Sequence, residues 1–139
     1  MENHVPVSEI MTKNLIKLHL KDELSHAETL FKKHHIRHLP VVEGEHIVGM
    51  LSYNDLMRIS FVDATDDDGE SVETTVYDMF SIEHVMTKKV VSVSPESSIK
   101  EVAKIFTEKE FHALPVVSHD NLVGIVTTTD VIRYLLDQY

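Results

Sequence analysis

The sequence predicts a mixed α/β (α+β) fold built from two β-α-β-β-α units. The first observation is a gapless internal repeat. Met11-Thr12-Lys13 recurs as Met86-Thr87-Lys88, and Leu39-Pro40-Val41-Val42 recurs as Leu114-Pro115-Val116-Val117. Gly49, Asp55 and Arg58 recur as Gly124, Asp130 and Arg133, and every pair is offset by 75. Val7–Ile59 laid on Ile82–Tyr134 gives 12 identities in 53 positions, and further positions exchange one apolar residue for another, as Leu15/Val90, Leu18/Val93, Leu24/Ile99, Leu30/Ile105 and Leu51/Val126 do. The second observation is a set of short apolar runs bounded by turn residues, which read as strands. The third is apolar residues at helical spacing between those runs.

Each unit opens on a short apolar run, Leu15–Leu18 or Val90–Val93, expected as a first strand. Leu24, Ala27, Leu30 and Phe31 follow at helical spacing, as do Ile99, Val102, Ala103 and Phe106. Ser98 with Glu101 has capping-box spacing at the start of the second of these helices. Leu39–Val42 and Leu114–Val117 are expected as second strands. Turn-like Glu43-Gly44-Glu45 and Ser118–Asn121 lead into third strands, Ile47–Leu51 and Leu122–Val126. Leu56–Ile59 and Val131–Leu136 then read as helices. The organisation is residues 1–60 as unit 1, 61–80 as a partly helical acidic linker, and 81–139 as unit 2. The linker carries Asp63, Asp66, Asp67, Asp68, Glu70, Glu73 and Asp78, so its middle is expected to be a solvated loop. Its Val72, Val76, Tyr77, Met79 and Phe80 can form one face of a short amphipathic helix. A unit of about 55–60 residues buries little surface alone, so the two units are expected to share a core.

Composition narrows the function. The 139 residues contain no cysteine, which excludes a disulfide scaffold, a thiolate nucleophile and a sulfur-ligated zinc site. No apolar run approaches the ~18 residues of a membrane span. The N-terminal residues lack the basic and apolar regions of a signal peptide, so a cytoplasmic location is expected. Net charge is −10, which argues against nucleic acid or an anionic membrane as the main partner.

The units resemble cystathionine-β-synthase (CBS) domains. The residues carrying the resemblance are Met-Thr-Lys before the first strand, Leu-Pro-Val-Val in the second, and Gly-x-x-[Ser/Thr]-x-x-Asp closing the third. The last reads Gly49-Met-Leu-Ser52-Tyr-Asn-Asp55 and Gly124-Ile-Val-Thr127-Thr-Thr-Asp130. The resemblance covers nearly all of the chain except the linker. It implies a free-standing CBS pair, similar to acetoin-utilisation accessory proteins, with two units packed about a pseudo-twofold axis. It also implies a non-catalytic regulatory module and energy sensor that binds adenine nucleotides or related adenosyl ligands. A homodimer is the implied assembly.

In Ser/Thr-x-x-Asp the hydroxyl sits where a strand passes into a helix. Free backbone N–H groups and the helix dipole attract phosphate there. A carboxylate three residues on can accept both ribose hydroxyls, and the preceding glycine lets the backbone approach a ligand. The same spacing also describes a plain capping box, and the spacing alone leaves both readings open.

The resemblance implies that each site draws on both units. One site would be closed by Thr127 and Asp130, with Thr12, Asn14, Ile16, Ile36, Arg37, His112 and Ile125. The mirror site would use Ser52, Asp55, Thr87, Val91, Phe111, His112, Arg37 and Met50. Ile16, Ile36 and Ile125 suit an adenine face. Arg37 and His112 suit phosphate, the guanidinium through bidentate charge-assisted bonds; a surface ion pair with the acidic linker is the alternative for Arg37. Arg58 and Arg133 read as helix-surface charges. His38 is matched by Ala113, and Tyr53, matched by Thr128, can crowd the first site, so the Asp130 site is expected to dominate. Few cationic groups favour AMP or ADP over ATP.

Metal and catalytic readings fare worse. His34 and His38 have i,i+4 spacing, but His38 directly precedes the Leu39-Pro40 strand, where the helix is expected to have ended. With Gly69 at position 6 of a calcium loop, Ala64 and Thr75 would fall where ligands are needed. No cofactor is expected, and Mg²⁺ would enter only with ATP. No nucleophile–base motif and no P-loop is present. The alternative to a sensor is a protein-association scaffold whose pockets take no physiological ligand.

Overall fold

The computed structural model describes residues 4–62 and 79–139. The acidic stretch Asp63 to Asp78, with Val72, Val76 and Tyr77 of the expected amphipathic face, lies outside the described residues. Met79 and Phe80 are described, and both are exposed.

The first repeat supplies β1 (Leu18–His19), α1 (Leu24–His34), β2 (His38–Glu43), β3 (His46–Ser52) and α2 (Tyr53–Val62). A short α3 (Ile82–Val85) precedes the second repeat's α4 (Ile99–Glu108), β4 (Ala113–Ser118), β5 (Asn121–Thr127) and α5 (Thr128–Asp137). The fold is mixed α/β, with one sheet ordered β1-β2-β3 and one formed by β4 and β5.

The second and third strands and both closing helices form where the residue pattern expects them. The first strands are shorter. Only Leu18–His19 pairs as a strand, parallel to β2 with Leu18 on Val41 and His19 on Val42. In the second repeat Val93 makes a single parallel bridge to Val116. Leu18 and Val93 are the buried ends of their runs, whereas Val91 is exposed. Pairing thus begins at the residue that enters the core.

Helix α1 buries Leu24, Ala27 and Phe31 and stops at His35, which adopts a left-handed φ of 53°. His34 therefore ends the helix and His38 opens β2, so the two do not share a helical face. At α4 the Ser98 hydroxyl accepts the Glu101 N–H at 3.0 Å, the hydroxyl half of the expected capping box. Strands β2 and β3 are joined by a two-residue loop whose Gly44 has φ of 66°. The loop between β4 and β5 is His119-Asp120, both at positive φ (50° and 68°), as a type I′ hairpin turn requires.

Two compact units result, and they do not follow the repeat boundaries. One, the Asp55 unit, comprises Ile16–Gly44 and Val48–Lys89. The other, the Asp130 unit, comprises Met1–Leu15, Glu45–Ile47 and Val90–Tyr139. Each repeat's lead-in segment is built into the unit formed by the other repeat. Val7 is fully buried in a core with Val93, Val102, Leu114, Val116 and Val126. Its segment is held by Val7 N–H to Ser97 O (2.7 Å), Ser8 N–H to Pro95 O (3.1 Å) and Ile99 N–H to Val5 O (2.9 Å). The equivalent Ile82 and Met86 lie in the other core with Leu18, Leu24, Phe31, Leu39, Leu51 and Leu56. Because Ile82 is fully buried, Ile82→Ala is expected to cost about 2–5 kcal/mol in a denaturant melt. A loss no larger than that of an exposed substitution would contradict this placement. Among the described residues, no helix is long and apolar enough to cross a membrane.

Candidate functional site

Of the nine residues expected at the Asp130 site, the Asp130 unit gathers six, Thr12, Asn14, His112, Ile125, Thr127 and Asp130, while Ile16, Ile36 and Arg37 belong to the other unit. Thr12 belongs to the first repeat and Ile125 to the second. Their backbones pair, Thr12 N–H donating to Ile125 O at 2.8 Å and Ile125 N–H to Thr12 O at 3.1 Å. Two residues past Ile125, Thr127 ends β5 and caps α5. Its hydroxyl accepts the Asp130 N–H at 3.2 Å, while Asp130 Oδ2 accepts the Thr127 N–H at 2.9 Å. The Thr128 N–H donates to the His112 carbonyl at 3.0 Å, which brings His112 to the start of the helix. Thr12, Asn14 and His112 are exposed; Ile125, Thr127 and Asp130 are half-buried.

The Asp55 unit repeats this frame. Met50 and Thr87 pair through both backbones, at 3.0 and 2.9 Å. The Ser52 hydroxyl accepts the Asp55 N–H at 3.0 Å, and Asp55 Oδ2 accepts the Ser52 N–H at 3.4 Å. The Tyr53 N–H donates to the Arg37 carbonyl at 2.8 Å, as Thr128 does to His112. Ile16 and Ile36 also belong to this unit, packed against its core. Val91 and Phe111, expected at the mirror site with His112, belong to the Asp130 unit.

Both Ser/Thr-x-x-Asp motifs are therefore real capping boxes, and this changes their chemistry. Two of the first three amides of each helix are already engaged, one by the hydroxyl and one by a carbonyl. The helix start is less of an open anion cradle than spacing suggested. What the box leaves at Asp130 is Oδ1, together with the hydroxyl proton of Thr127, since that hydroxyl acts only as an acceptor in the box. A carboxylate oxygen and a hydroxyl donor on one helical turn can address a ribose and a phosphate.

The two carboxylates are not equivalent. Asp55 Oδ1 pairs with Arg58 Nη1 at 3.4 Å; among the described residues Asp130 has no such partner, although Arg133 has the same spacing. The Arg58 side chain is 75% exposed, so the pair is worth at most about 1 kcal/mol. Tyr53, expected to crowd the Asp55 site, packs edge-on against Phe31 (centroids 5.7 Å apart, 85° between planes). The Arg37 guanidinium lies over the Tyr53 ring at 5.8 Å. An arginine 16 residues before an aromatic gives no spacing signal for that contact.

Gly49 and Gly124 also differ from expectation. The space a side chain at Gly124 would need is filled by Met11, and that at Gly49 by Met86. The glycines admit methionine side chains of the chain itself. Among the described residues no group of three or more His, Asp or Glu is placed to hold a metal.

The CBS domain pattern matches residues 7–61 and again 82–137. The chain belongs to the CBS domain family. Its repeats are a CBS pair, with Val7 and Ile82 near the start of each matched stretch. The Vibrio cholerae acetoin utilization protein AcuB has the same fold, with TM-score 0.80 and 26% identity over 97% of this chain and 93% of that one. The CBS pair of protein MJ0100, solved in complex with 5′-methylthioadenosine and S-adenosyl-L-methionine, superposes with TM-score 0.74. It is 25% identical, over 94% of this chain and 99% of that one. The Methanocaldococcus jannaschii protein MJ1225 is 31% identical over 94% of this chain, which spans only 42% of that relative's length.

Proposed function

We propose that this CBS pair is a non-catalytic regulatory module that binds an adenine nucleotide or related adenosyl ligand. The ligand site is built in the Asp130 unit from Thr12 and Asn14 of one repeat and His112, Ile125, Thr127 and Asp130 of the other. The observation that carries the reading is the Thr127–Asp130 box, which leaves a carboxylate oxygen and a hydroxyl proton on one turn beside the Thr12–Ile125 pair. Asp130 would accept the ribose hydroxyls, Thr127 would donate to phosphate, and half-buried Ile125 would offer an apolar surface to adenine. The bound adenosyl compounds of the MJ0100 pair support the ligand class. With His112 as the nearby phosphate partner and two amides of the helix start engaged, AMP or ADP suits the site better than ATP, and Mg²⁺ would enter only with ATP.

A scaffold that takes no ligand is the second reading. It is favoured by the completeness of the capping boxes and by α5, whose Ile132, Leu135 and Leu136 are more than half exposed on one face. A homodimer would cover that face, and light scattering would register it.

A thermal-shift panel of AMP, ADP, ATP, S-adenosylmethionine and NAD separates the readings. A ligand at ~100 times its Kd that binds only the folded chain adds about 2.7 kcal/mol. For a chain of this size that raises Tm by about 5–12 °C. No shift with any of the five at millimolar concentration would contradict the sensor reading and favour the scaffold.

A further inference from the structure

We propose that Met11 and Gly124 are a positioning pair for the Asp130 site: the thioether seated over the glycine fixes the register of the lead-in segment on β5 and thereby sets the ligand-facing edge. The proposal rests on the reading that this site binds an adenosyl ligand. A Cβ at Gly124 would lie 2.5 Å from Met11 Sδ, 3.0 Å from its Cγ and 3.2 Å from its Cε, so no larger residue fits without displacing the side chain. Met11 directly precedes Thr12, and Gly124 directly precedes Ile125. Thr12 and Ile125 exchange both backbone hydrogen bonds, at 2.8 and 3.1 Å. The three atoms a Cβ would meet all belong to the flexible Met11 side chain, which must leave the notch to admit it, and the proposed effect is that its departure loosens the adjoining backbone bonds and, through them, Thr12 and Asn14.

Methionine suits the task because it is unbranched and fills an irregular notch that a β-branched residue cannot enter. The Asp55 unit repeats the arrangement. A Cβ at Gly49 would overlap Met86 Sδ and lie 3.0 Å from Thr87 O, next to the Met50–Thr87 pair. Met11 and Gly124 do not touch the proposed ligand; they hold the residues that do.

The test is a double-mutant cycle on the whole chain, reading AMP affinity by calorimetry well below Tm and amide exchange at Thr12 and Ile125. Gly124→Ala is expected to weaken AMP about tenfold and to speed exchange at both amides. Made in a Met11→Ala background, where the notch is empty, the same substitution should change affinity by less than about threefold. Gly49→Ala should leave the Thr12 and Ile125 amides as they are. If Gly124→Ala alone does not fold while the double variant does, that rescue supports the pair in the same sense. Equal losses in the two backgrounds, or unchanged exchange in Gly124→Ala, would overturn it. If the unaltered chain takes no AMP, the ligand reading fails by itself, and the exchange cycle still decides whether the pair sets the register.

Discussion

A chain cut after residue 62 will not fold cooperatively, although it contains one whole repeat. The reason lies in how the cores are assembled. The Asp55 core needs Ile82 and Met86 from beyond the cut. Losing a buried residue of this size costs about 2–5 kcal/mol each, against a total stability of about 5–15 kcal/mol. At the other end, Val7 and Met11 would lose Val93, Val102, Leu114, Val116 and Val126, and with them their only described core. The fragment would expose two sets of apolar residues and aggregate. Circular dichroism melts and size exclusion check this. A monomer that melts cooperatively would contradict the exchange of lead-in segments.

Asp130→Ala should weaken adenosyl-ligand binding about 10- to 150-fold, as expected for a lost hydrogen bond of about 1.5–3 kcal/mol to a charged group. It should also lower stability by about 0.5–2 kcal/mol, because the same carboxylate closes the capping box on Thr127. Asp130→Asn separates the two roles. Its amide oxygen can still accept the Thr127 N–H, so melting should return toward that of the unaltered chain while affinity stays weakened. Asp55→Ala should cost less binding, since Asp55 Oδ1 is already engaged by Arg58. The exposed pair is weak, so the preference it creates is at most about fivefold. Equal binding losses from both alanine variants would contradict the asymmetry. Unchanged binding in both would remove these carboxylates from the ligand.

Much of this was legible in the sequence because the chain states it twice. The second and third strands, the closing helices and the Ser/Thr-x-x-Asp caps follow from local pattern, and local pattern decides them. The short first strands do not, because apolar Leu15, Ile16 and Leu18 all suit a strand and only the tertiary partner Val41 determines where pairing starts. The exchange of lead-in segments is not written in local pattern either; only the family resemblance implies it, by setting Thr12 and Asn14 beside Asp130 and Thr87 beside Asp55. The repeat equates Val7 with Ile82 but cannot say which core each joins. Spacing reads Gly49 and Gly124 as ligand access, whereas the space beside their Cα atoms is filled by Met86 and Met11. A signal was present, since Met11/Met86 and Gly49/Gly124 recur together, a flexible side chain matched to a missing one. The sequence does mark the two sites as unequal, through His38/Ala113 and Tyr53/Thr128, but not the ion pair: Arg58 and Arg133 share the same spacing, and among the described residues only Arg58 pairs with its aspartate.

The most direct test of the proposed site is the amide NMR spectrum of the labelled full-length chain titrated with AMP. The account predicts that the amides of Thr12, Asn14, Ile125 and Thr127 to Asp130 move first and together, with those of Ser52 to Asp55 following at higher concentration or not at all. A saturating titration that leaves the Asp130 residues unmoved, or that moves the Asp55 residues first, would contradict it.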